Sequence, residues 1–133
     1  MGRLRLRVVT PERLLLDEEV DEVTALGVVG EFGVLPSHLT FLSALETGRL
    51  VYKRGGQARL LAVSGGFAEV VDNLVTVLAD AAEFAEEIDV ERARAALQRA
   101  EEQLKDLSPS TPEFAEVQAK LRRSETRIQV AGQ

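Results

Sequence analysis

From Arg3 onward the chain alternates. Leu4, Leu6 and Val8 are apolar, and Arg3, Arg5 and Arg7 between them are basic. A period of two predicts a half-buried strand with a basic outer face. Residues 50–53 and 58–63 form two further runs joined by Arg54-Gly55-Gly56-Gln57. The Gly-Gly pair suits a two-residue hairpin turn in which both central residues take positive φ. Residues 67–71 and 74–79 repeat the scheme around Asp72-Asn73, two residue types that tolerate the left-handed region. Short runs at such regular spacing predict an antiparallel sandwich or barrel over about residues 1–85.

At Ile88 the period changes. Val90, Ala93, Leu97, Ala100, Leu104 and Leu107 step by three and four, a single apolar stripe on a helix. Asp89 stands at its N-cap. Leu107-Ser108-Pro109-Ser110 breaks the helix, and Thr111-Pro112-Glu113 starts another, with a capping hydroxyl, a first-turn proline and an acid at the positive end of the dipole. Phe114, Val117, Leu121, Ser124 and Ile128 carry its stripe. Two helices with matching narrow stripes and a short linker predict an antiparallel hairpin over residues 86–133. Alanine fills much of the first stripe, and each alanine contributes well under the ~1.5–3 kcal/mol of a buried leucine. The hairpin is therefore expected to be marginal and to need the sandwich, a ligand or a partner to stay closed.

Composition narrows the chemistry. The net charge of −6 over 133 residues argues against a general nucleic-acid binder, which needs a basic face to displace counterions. With no cysteine and one histidine, His38, disulfides, thiolate metal sites and multi-histidine sites are excluded. No apolar run approaches the ~18 residues of a membrane span, and the N-terminus has no continuous apolar segment of a signal peptide. Any membrane association is expected to go through a partner.

Ser64-Gly65-Gly66 lies between two apolar runs and admits three readings. A nucleophile elbow needs a strand leading into a helix and a downstream histidine. Here another strand follows and His38 lies upstream. A phosphate loop wants a lysine and a helix after the glycines, and both are missing. A β-corner, where glycine permits close strand approach, fits best.

Several blocks taken together resemble a known family. Gly30-Glu31-Phe32-Gly33-Val34-Leu35-Pro36-Ser37-His38, Ala62-Val63-Ser64-Gly65-Gly66-Phe67-Ala68-Glu69-Val70, Val75-Thr76-Val77-Leu78-Ala79-Asp80 and Ile88-Asp89-Val90-Glu91-Arg92-Ala93 are similar, in order and spacing, to the epsilon-subunit family of bacterial F-type ATP synthases. The resemblance covers essentially the whole chain. Ser37 stands where the family usually has glycine, which stiffens that loop. The resemblance implies a flattened ten-stranded antiparallel β-sandwich followed by a two-helix hairpin. It implies a non-catalytic place in the central stalk at the cytoplasmic face of the bacterial membrane, bound to the gamma subunit and seated on the c-ring. There the subunit couples ion transport to ATP synthesis. It also implies helices that leave the sandwich, extend to the catalytic alpha/beta head and block ATP hydrolysis.

The resemblance assigns residues too. It places the loop with Glu31, Phe32, Gly33 and His38 at the rotor contact, Glu31 facing the polar loops of the c-ring. A solvated connection with a surface imidazole is the plainer alternative. In some bacterial members one ATP binds the folded hairpin, as a regulatory ligand rather than a required cofactor. Asp89 and Arg92 match that signature, with Glu83 in the preceding segment and Arg99, Arg123 and Arg127 at further positions. Arg92 and Arg99 lie two turns apart on one helix face, and Arg123 and Arg127 are neighbours on the other helix. Their forked donors suit phosphate oxygens. The alternative is an Asp89 that only caps its helix and arginines paired with Glu91, Glu102 or Glu125. In the extended form Arg122, with Arg123 and Arg127, is expected to meet an acidic segment of the head. A free-standing nucleotide-sensing module and a hydrolase using Ser64 are the competing readings from other classes.

Overall fold

A computed structural model describes residues 3–37 and 40–132, so His38 lies outside the described residues. Ten strands come first: β1 (Leu4–Val9), β2 (Leu14–Val20), β3 (Glu22–Gly27), β4 (Gly30–Val34), β5 (Phe41–Ala44), β6 (Gly48–Arg54), β7 (Gln57–Ser64), β8 (Phe67–Val71), β9 (Leu74–Leu78) and β10 (Ala81–Phe84). They form two five-stranded sheets, ordered β2-β1-β9-β8-β5 and β10-β7-β6-β3-β4. The expected ten-stranded sandwich is observed. Neighbouring strands run antiparallel except β1 and β9, which pair in parallel. That pairing joins the first strand to the ninth and seals the first sheet.

The core lies between the sheets. Leu4, Leu6, Val8, Val70, Val75 and Val77 face Val23, Val34, Leu50, Tyr52 and Leu61, all virtually solvent-free. The alternation at the N-terminus behaves as its period requires, and the basic face is partly neutralised. Arg5 Nε donates to Asp17 Oδ1 on β2 at 2.7 Å, and Arg7 lies 3.4 Å from the same oxygen.

Both predicted hairpins are present. Gly55 and Gly56 have φ +58° and +82° between β6 and β7, and Asp72 and Asn73 have φ +48° and +63° between β8 and β9. Ser64-Gly65-Gly66 carries the chain from one sheet to the other. A side chain on Gly66 would put its Cβ 2.0 Å from the Leu78 carbonyl oxygen, so only glycine lets β8 start there. One expectation is corrected. Glu31, Phe32 and Gly33 form β4, an edge strand in register with β3 (Leu26 opposite Glu31, Ala25 opposite Phe32), not a loop. Two glycines lower strand propensity, but the ladder and the edge-on contact of Phe32 with Phe41, centroids 5.1 Å apart, offset that.

A single 3-10 turn, Ala85–Glu87, links β10 to the helices α1 (Val90–Lys105) and α2 (Pro112–Ala131). The expected caps are in place. Asp89 Oδ1 accepts from the Arg92 backbone N–H at 3.1 Å, and Thr111 Oγ1 accepts from that of Phe114 at 3.3 Å. Ala93, Ala100, Val117 and Ser124 are buried where the helices meet. The hairpin docks on the sandwich through a second, smaller core. Ala62 on the outer face of β7, Ile88 and Val130 are buried there, flanked by Leu60, Ala85, Val90 and Ala131. None of these belongs to the intersheet core.

Candidate functional site

Between the sandwich and the hairpin lies a cleft of about 700 Å³, within the range of small-molecule sites. The sandwich and the hairpin both wall it. The β1–β2 turn supplies Thr10, Glu12 and Arg13, β7 supplies Ala62 and Ser64, and Asp80 before β10 and Glu83 within it complete the sandwich wall. From α1 come Arg92, Arg99 and Gln103, and from α2 come Lys120, Arg123 and Arg127. Of the six residues matched to a nucleotide signature, the fold brings Glu83, Arg92, Arg99, Arg123 and Arg127 to this one cavity. Asp89 is not on its wall and caps α1 instead.

The charge distribution is unbalanced. Arg13, Arg92, Arg99, Lys120, Arg123 and Arg127 face three carboxylates, Glu12, Asp80 and Glu83, in a chain whose net charge is −6. Arg127 is ion-paired with Glu83, and Arg13 with Glu87 at 3.1 Å. Among the described residues, Arg92, Arg99, Lys120 and Arg123 have no ion-pair partner, and two of the acids near them on α1 are engaged elsewhere. Glu91 holds Arg94 at 3.0 Å and Glu102 holds Lys105 at 3.3 Å. Six cations against three carboxylates leave an excess of positive charge in the cavity, which favours anions, and guanidiniums offer forked donors suited to phosphate.

Arg13 and Lys120 escaped the sequence reading. Lys120 carried a signal, since it precedes Arg123 and Arg127 by three and seven on one helix face. Arg13 carried none, being brought by the sandwich from the other end of the chain. Ser64 lines the cleft but opens into strand β8, not a helix, so no nucleophile elbow exists.

The candidate partner residues lie elsewhere. Glu31 is exposed, Phe32 half-buried and Gly33 exposed on edge strand β4. Beside them Val29, at the tip of the β3–β4 hairpin, is 95% exposed, and Leu35 and Leu42 are also exposed. Arg122 points away from the cleft, its Nη1 3.6 Å from Glu46 Oε2 between β5 and β6.

Comparison with known proteins decides the family. Residues 3–85 match the family model "ATP synthase, Delta/Epsilon chain, beta-sandwich domain", and residues 86–132 match "ATP synthase, Delta/Epsilon chain, long alpha-helix domain". The chain belongs to the ATP synthase delta/epsilon family. The ATP synthase epsilon chain of Geobacter metallireducens is 53% identical over 98% of this chain and 94% of its own length. That of Nitratidesulfovibrio vulgaris is 54% identical over 97% and 96%. A chain of the Euglena gracilis mitochondrial ATP synthase (OSCP/F1/c-ring) superposes with TM-score 0.84 at 28% identity, covering all of this chain and 83% of the other. A chain of the Tetrahymena thermophila mitochondrial ATP synthase central stalk and c-ring shares the fold, with TM-score 0.68 and 15% identity. Members of the delta/epsilon family are non-catalytic ATP synthase subunits, and this chain is an epsilon subunit. No helix among the described residues is long and apolar enough to cross a membrane.

Proposed function

We propose that this epsilon subunit sits in the central stalk of a bacterial ATP synthase at the cytoplasmic face of the membrane, bound to the gamma subunit and seated on the c-ring. It helps couple ion flow to ATP synthesis. Its helices leave the sandwich to restrain ATP hydrolysis at the catalytic head, and ATP in the cleft holds them down. The observation that carries this reading is the cationic cleft, whose walls belong half to the sandwich and half to the hairpin. A polyanion bound there touches both bodies and binds only while they are together. ATP then stabilises the docked form by RT ln(1 + [ATP]/Kd), ~1.4 kcal/mol at a tenfold excess. That suffices to bias a hairpin held by a small core. The apolar and acidic β3–β4 end, with Glu31, Phe32 and Gly33, is the surface for the ring. Arg122 meets the head once its pairing with Glu46 is released.

Calorimetric titration of the chain with ATP tests the ligand. Binding that is lost or weakened at least tenfold in Arg92→Ala and Arg123→Ala is expected, and no heat at millimolar ATP overturns it. Reconstitution with the catalytic head tests regulation. The full chain is expected to slow hydrolysis more than a version ending at Glu87, and equal rates overturn the regulatory role.

A further inference from the structure

The 3-10 turn between β10 and α1 is more firmly held than its length suggests. Arg13 Nη2, from the β1–β2 turn, donates to both Glu87 oxygens at 3.1 Å. Glu87 Oε1 also accepts from the Phe84 backbone N–H at 2.9 Å. On the other side, Arg59 of β7 is ion-paired with Glu86, and its guanidinium carbon lies 4.7 Å from the centroid of the Phe84 ring. Phe84 itself packs against the intersheet core. Ile88, by contrast, is buried with Val130 and Ala62 in the small docking core, and Asp89 belongs to α1 as its cap. The polar ties of the linker to the sandwich therefore end at Glu87, and Ile88 after it lies in the docking core that opens when the helices part.

We propose that Arg13 and Arg59 latch the linker turn to the sandwich, so that the helices part from it by pivoting at Ile88 and Asp89. The inference rests on helix release as proposed above and fixes where release stops. A guanidinium nitrogen held between both carboxylate oxygens is a charge-assisted contact, and a cation over an aromatic ring adds to it. Both residues lie far from the helices in sequence, so the latch persists when the docking core opens. The consequence is mechanical: a pivot placed after the latch gives the helices a fixed origin on the sandwich. An unlatched turn would add a loose tether of several residues.

Residue-resolved hydrogen exchange on the full chain tests this. Amides of α1 and α2 are expected to exchange faster than the Val75 and Val77 amides of the core, while the Phe84 amide stays slower than the helices. Arg13→Ala and Arg59→Ala each keep the Phe84–Glu87 hydrogen bond. Each is expected to speed exchange at Phe84 by roughly threefold to tenfold, given the modest strength of exposed ion pairs. Arg13→Lys, which keeps the charge but shortens the reach to Glu87, falls between. Wild-type Phe84 exchanging in step with the helices, or unchanged exchange in both alanine variants, overturns the latch alone. Helices exchanging in step with the core overturn release itself and the pivot with it.

Discussion

Arg127 on α2 and Glu83 on β10 form an ion pair across the floor of the cleft, each side chain about one-quarter exposed. It is the one ion pair among the described cleft residues that joins hairpin to sandwich, and it occupies the acid that would otherwise face an incoming anion. Partial burial strengthens such a pair over a surface one, while solvent still screens it. Arg127→Ala is expected to loosen α2 by about 1 kcal/mol without moving the melting of the sandwich. Hydrogen exchange along α2 measures the difference, and an unchanged helix would remove the pair from the account of docking.

Val130 is fully buried near the end of α2, against Ala62 and Ile88. Val130→Ala removes two buried carbons and is expected to cost the docked helices about 2 kcal/mol. The same change at Val75, buried between the sheets, should lower the stability of the whole fold instead. Comparing local exchange in the helices with global thermal unfolding separates the two. Equal loss at both levels in the Val130 variant would mean that the cores are not independent.

Gly66 has φ +104° and no room for a Cβ beside Leu78 and Ala79. Gly66→Ala is expected to destabilise the sandwich by about 3 kcal/mol, read by denaturant unfolding. Ser64→Ala, two residues earlier, should change stability little. A tolerated alanine at Gly66 would show that the corner relaxes.

Acid should loosen the sandwich and its linker. The Phe84 backbone N–H, and after it Arg13, hold the Glu87 carboxyl below the ordinary glutamate range against the opposing effect of partial burial. Arg5 and then Arg7 act likewise on Asp17. Groups with depressed folded pKa values stabilise above their unfolded values, near ~4, and lose that contribution as pH falls through the folded ones. Thermal stability is therefore expected to fall between neutral pH and pH ~3, less steeply in Glu87→Gln. A rise in stability on acidification would contradict both assignments.

Much of the fold was legible because local chemistry and global packing agree. Leu4, Leu6 and Val8 alternate as a half-buried strand must, and Gly55-Gly56 and Asp72-Asn73 occupy positive φ. Asp89 and Thr111 cap the helices they precede. The parallel partnership of β1 with β9 was hidden, since nothing in residues 4–9 specifies a mate seventy positions away. Edge strand β4 was misjudged because Gly30 and Gly33 look like loop residues, and the ladder with β3 outweighs propensity. At the cleft, helical spacing gathered the arginines of α1 and α2. Arg13 and Asp80 reach the same cavity only through sheet topology, which no short-range pattern encodes. Val130 lay off the stripe shared by the helices, because it faces the sandwich rather than α1.

The parallel seam between β1 and β9 also sets a timetable. During synthesis the opening strand finds β2 early, but its second mate arrives only when residues 74–78 have left the ribosome. The sheet therefore closes late and through contacts distant in sequence, a topology that folds slowly. The helices are made last and form quickly from local contacts. They arrive at a surface that is complete or nearly so, and settle on it as an addition rather than as part of its foundation.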